Sequence, residues 1–112
     1  MRTRSALAQA GASALLFAAL GDETRLKLVA RLSEHGPMSI SALTAGSNIT
    51  RQAIAKHLRV METARLVRGV RQGRESIWEL DHRRLEDARR YLALISQQWD
   101  DALARLRDFL KD

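Results

Sequence analysis

From residue 81 through residue 112 neither Pro nor Gly interrupts the chain, and Leu85, Ala88, Leu92, Ile95, Trp99, Ala102, Leu106 and Phe109 recur at alternating spacings of three and four. That period puts side chains on one face of an α-helix of roughly 30 residues, about 45 Å long. The roughly 80 residues that precede it make a head too small to cover such a helix. Trp99, Leu103, Leu106, Phe109 and Leu110 would then stand in water as an apolar patch larger than a monomer usually tolerates. Pairing with a second copy about a two-fold axis buries such a face. A homodimer is therefore expected, with Leu92, Ile95, Trp99, Leu103, Leu106 and Phe109 at the interface and Leu15 or Leu16 joining them from an N-terminal helix.

A chain of 112 residues has the length of one domain, taken as residues 1–112. It is long enough to bury roughly two-thirds of its unfolded surface without a metal or disulfide. Cysteine is absent, which excludes thiolate catalysis, zinc ribbons and disulfide frameworks and suits a reducing compartment. Arg2 and Arg4 ahead of the largely apolar nine-residue run 12–20 resemble a short secretory leader. Nine residues fall well short of the roughly 20 that span a bilayer, and Leu20-Gly21-Asp22 is a poor cleavage site. The expectation is a helix over about 5–20 that packs on the fold, in a cytoplasmic protein with no membrane partner.

Charge is unevenly placed. Residues 49–74 carry Arg51, Lys56, Arg59, Arg65, Arg68, Arg71 and Arg74 against Glu62 alone, seven minus one, which equals the +6 of the whole chain. Between Glu34 and Glu62 there is no acidic residue. An excess confined to one segment is the electrostatic footprint of a polyanion-binding surface, with double-stranded DNA the leading partner. The competing reading is a helical interaction module whose basic segment grips an acidic protein.

Asp22 suits a helix N-cap, and the helix that follows is expected to bury Leu26, Val29 and Leu32 with Leu28 flanking, ending at Gly36-Pro37. A short extended piece at 38–40 leads to Ser41 as a second N-cap, a brief helix over 42–45 and a turn at Gly46-Ser47-Asn48. Thr50 caps the next helix, whose buried stripe is Ile54, Leu58 and Met61 and which runs to about 64. Two β-favouring runs, 66–71 and 75–80, flank Gly73 and predict a hairpin. The order is mainly α (α+β): a winged helix-turn-helix, with the helix-turn-helix at about 41–64, the wing at about 66–80 and dimerisation helices at about 5–20 and 82–112.

With Ile54, Leu58 and Met61 inward, the opposite face of that helix shows Arg51, Gln52, Ala55, Lys56, Arg59 and Thr63. The N-terminal turns of a recognition helix enter the major groove. There Arg51 or Lys56 suits guanine O6 and N7, Gln52 suits adenine N6 and N7, and Ala55 suits a thymine methyl and a close approach. Arg59, further along, suits a phosphate. Arg71 and Arg74 at the hairpin tip can follow the backbone or enter a narrow minor groove. His57 borders the buried stripe and is expected to pack rather than read bases, while the direction of Arg68 is open.

These residues resemble the ArsR/SmtB family of winged-helix repressors over nearly the whole chain. The resemblance rests on LFAALGDETRLKLVARL at 16–32, ITRQAIAKHLRVMETARLV at 49–67 and VRQGRESIWEL at 70–80. It implies a homodimer that binds an imperfect palindrome and represses transcription, with contacts at Thr50, Arg51, Gln52, Ala55 and Lys56. Many members release DNA on binding metal. Their thiolate motif falls on 37–43, where Ser39 and Ser41 stand at both Cys positions, and a serine hydroxyl is a poor ligand beside thiolate or imidazole. Their other site needs Asp-x-His and a later His-x-x-Glu, whereas Asp81 and His82 are adjacent here and no His follows. The resemblance is therefore to a non-metal branch, with no cofactor and no identified small-molecule inducer. Without a nucleophile-base pair or a Gly-rich phosphate loop, the chain is not expected to be an enzyme.

Overall fold

The computed structural model describes the backbone of residues 2–111 and the side chains of residues 11–111. The side chains of Arg2 and Arg4 lie outside the described residues. Five helices and three strands follow one another: α1 (Arg2–Leu20), α2 (Glu23–His35), β1 (Met38–Ser39), α3 (Ile40–Ala45), α4 (Arg51–Thr63), β2 (Val67–Gln72), β3 (Glu75–Leu80) and α5 (His82–Lys111). The strands form an antiparallel sheet in the order β1-β3-β2. Helix, turn, helix and hairpin in this order, with a long last helix, make a winged helix-turn-helix.

Side-chain caps start the helices. The Asp22 carboxylate accepts from the Arg25 backbone N–H at 3.0 Å, and this bond, more than the nearby charges, holds its pKa below the usual carboxylate value. The cap therefore stabilises at neutral pH and is lost as pH falls through that lowered pKa. Thr50 caps α4 as expected, its hydroxyl accepting from Ala53 N at 3.1 Å. Ser39, not Ser41, caps α3: its hydroxyl accepts from Ala42 N at 3.1 Å. Pairing of Ser39 with Ile77 ends the extended segment one residue earlier than the sequence suggested, so Ile40 opens the helix.

Three arginines close helices at the other end. Helix C-termini leave carbonyls without intrahelical partners and carry partial negative charge, which a guanidinium satisfies on both counts. Arg25 donates to Ala19 O at 2.5 Å and Ala18 O at 3.4 Å at the end of α1. Arg31 donates to Leu43 O at 2.6 Å and Ala42 O at 3.1 Å in α3. Arg84, buried, reaches Ala64 O at 3.1 Å just beyond α4 and Ala12 O at 2.7 Å in α1.

The core gathers Leu16, Leu28, Leu32, Leu43, Ile54, Leu58, Met61, Leu66, Val67 and Leu80. At about 1.5–3 kcal/mol for each large side chain buried, these contacts are the main favourable contribution to the fold. Leu26 is corrected from core to surface, at 51% exposure, while Leu28 is buried. Two residues apart on a helix they diverge by about 200°, and the Leu28–Leu32 pair takes the inward face. Leu16 is likewise fully buried within the protomer, which leaves Leu15, 49% exposed, as the outward residue of α1.

Only the first half of α5 packs on the head, with Ala88 buried and the Tyr91 ring 5.8 Å from that of Phe17. Past Ile95 no described side chain of α5 is buried. The molecule measures 67 × 34 × 20 Å, its long axis drawn out by that helix. Among the described residues no helix is long and apolar enough to cross a membrane.

Candidate nucleic-acid interface

Burial of Ile54, Leu58 and Met61 fixes the rotation of α4. Arg51, Gln52, Lys56, Arg59 and Thr63 are consequently exposed and Ala55 is half-buried. The first turn is held at three points: the Thr50 cap, Ile49 packed against the core, and a bond from the Arg51 guanidinium to the Ser41 hydroxyl at 3.2 Å. Ser41, expected as a cap, instead props the first cation of α4 from the neighbouring helix.

Gln72 and Glu75 pair across a two-residue hairpin loop whose first residue, Gly73, has φ +61°. Positive φ at the first loop position alone suits a II′ turn, which requires Gly there. Gly69 faces Trp78 across the ladder, and a Cβ at position 69 would lie 3.3 Å from the Trp78 ring. The ring therefore closes over the glycine and stiffens the wing. Arg71 and Arg74 are exposed toward the tip.

The recognition helix and wing meet in a cleft of about 220 Å³ lined by Ser39, Ser41, Arg51, Arg74, Glu75 and Trp78. Arg51 and Arg74, 23 positions apart in the sequence, thus share one wall system, with Glu75 beside them. Arg68 turns elsewhere. Its guanidinium bonds Glu79 on β3 at 2.6 Å, which spends its charge within the sheet. His57 faces inward, accepting from Arg25 at 3.2 Å through Nδ1. Because arginine can only donate, Nδ1 is the acceptor in this bond, and the longer 3.9 Å approach to Asp22 is secondary. Among the described residues no three His, Cys, Asp or Glu side chains come together as a metal set.

Arg65 carries a signal that the sequence reading counted only as charge. It follows the α4 C-cap, Ala64, at φ +63°, a left-handed backbone usually given to Gly and costing other residues about 1 kcal/mol or more.

A cationic recognition helix propped by its partner helix, with an arginine-tipped hairpin at its side, defines a DNA-binding transcriptional regulator of the winged helix-turn-helix class. Residues 20–70 match the family model described as a helix-turn-helix domain. An ArsR-like transcriptional regulator from Rhodococcus sp. RHA1 superposes with a TM-score of 0.80 at 35% identity, covering 88% of this chain and 92% of that one. The chain belongs to the ArsR family. It is 45% identical over 65 residues to the HTH-type transcriptional regulator YuzN of Bacillus subtilis, covering 53% of this chain and 71% of the relative. It is also 40% identical over 63 residues to the HTH-type transcriptional regulator Rv2034 of Mycobacterium tuberculosis, covering 56% of this chain and 58% of that relative, little more than half its length. Such relatives are regulators rather than enzymes.

Proposed function

We propose that the chain is a homodimeric repressor that binds an imperfect palindrome and does so without metal. Thr50, Arg51, Gln52, Ala55 and Lys56 enter the major groove, Arg59 meets phosphate, and Arg71 and Arg74 hold the flanking backbone or minor groove. The observation that carries this reading is the exposed, acid-free start of α4, with Arg51 sharing a cleft with the wing's Arg74. Leu15 on α1 and Leu92, Ile95, Trp99, Leu103, Leu106 and Phe109 on α5 form the interface between copies. Metal independence is supported by the hydroxyls at the two serine positions. Ser39 is spent on a helix cap and Ser41 on Arg51.

Base reading and phosphate holding separate by mutation. Arg51→Ala and Gln52→Ala are expected to weaken binding at particular base pairs by about 1–3 kcal/mol per lost contact. Arg59→Ala is expected to weaken all sequences alike. Anisotropy titrations over a set of single-base operator variants read both effects, and unchanged affinity and base preference in the first two would reassign the recognition helix.

A further inference from the structure

A second cleft, of about 360 Å³, opens where α1, the end of α4 and the first half of α5 meet. We propose that it binds a small organic monocarboxylate. Arg65, Arg84 and Arg90 line it against a single carboxylate, Asp87, so its walls carry three positive charges and one negative. Arg84 is consumed by the fold: besides its two carbonyl bonds it lies 3.5 Å from Asp87 and neutralises it. The other two guanidiniums remain available. Arg90 stands 3.7 Å from Glu86, which Arg89 already engages through both carboxylate oxygens at 3.0 and 3.1 Å. Arg65 has no ion pair among the described residues and keeps its left-handed backbone where Gly would sit without strain. Backbone strain at a residue aimed into a cleft points to a use for its side chain.

Two arginine forks match the planar, bidentate geometry of a carboxylate. The Tyr91 ring and Leu94 add an apolar wall for an organic body, and the volume is at the small end of ligand sites. DNA is not the anion here, because Arg65 stands 14 residues beyond Arg51, which places it about 20 Å along the helix from the groove-entering end. At 3.6 residues per turn, Asp87, Arg90 and Leu94 occupy the flank of α5 opposite Leu92, Trp99 and Leu103, so this wall of the cleft points away from the proposed seam. The regulatory consequence rests on the proposed function: Arg84, on the cleft wall, ties α1 and α5 to the end of the recognition helix, so occupancy is coupled to DNA affinity.

Isothermal titration of the full chain without DNA tests the site, using benzoate, phenylacetate and octanoate, with phenylacetamide as the uncharged match. Saturable binding of at least one carboxylate and none of the amide is expected. Arg65→Gly, whose backbone suits φ +63°, should fold at least as stably as the parent yet bind about tenfold more weakly or worse. Adding Arg90→Gln should abolish binding. No saturable carboxylate binding, equal binding of the amide, or parental affinity in the double variant would each overturn the proposal. Equal competition by inorganic sulfate would overturn its organic part. DNA affinity is measured separately with and without the carboxylate. Carboxylate binding without DNA binding would sustain the site and defeat the repressor reading, whereas DNA binding without carboxylate binding would defeat the site alone.

Discussion

Trp99→Glu combined with Leu106→Glu is expected to turn the proposed dimer into a folded monomer. In the protomer Trp99 is 65% exposed and Leu106 53%, with Phe109 at 77% beyond them, so neither side chain belongs to the core of one chain. In the proposed pairing of two copies the same positions would lie in an apolar seam, where an unpaired carboxylate costs several kcal/mol and the lost burial adds about 1.5–3 kcal/mol per side chain. Two copies double each effect by symmetry. Sedimentation velocity should show a monomer with an unchanged helical circular dichroism spectrum. A full dimer in the double variant would move the interface off α5.

The second large effect is that of salt. A dimer presenting two recognition helices and two wings would neutralise about eight phosphates, so log affinity should fall against log salt with a slope near −7. A fourfold rise in salt then weakens binding by about 10⁴. An acidic protein partner has no comparable condensed counterion atmosphere, and its slope should be far shallower. A shallow slope with DNA would leave the basic stretch as a solvated surface or an interaction module.

Periodicity made the large features of this fold legible. The stripe Ile54, Leu58 and Met61 set the rotation of α4, and the Thr50 cap and the glycine of the hairpin followed from local chemistry. Side-chain assignments that depend on the partner element were not legible. Ser39 rather than Ser41 caps α3 because a strand distant in sequence pairs with Ser39. Leu28 displaces Leu26 from the core because their helix meets the rest of the head along one face only. Nothing local in the sequence announces that Arg25, Arg31 and Arg84 will each reach the carbonyl end of another helix. Arg65 was the exception with a usable local signal: an arginine just beyond a helix end, where glycine is the common choice.

The central claim is sequence-specific recognition by paired α4 helices, and selection from random duplex DNA with the purified chain tests it most directly. The selected duplex and a scrambled one are then compared by anisotropy, with chelator and with micromolar zinc or arsenite. An inverted repeat should emerge whose half-sites are centred about one helical turn, or a multiple of it, apart. The chain should prefer it strongly over the scrambled duplex, with no response to chelator, zinc or arsenite. Equal affinity for the two duplexes would contradict sequence-specific recognition, and release by zinc or arsenite would contradict the metal-free reading.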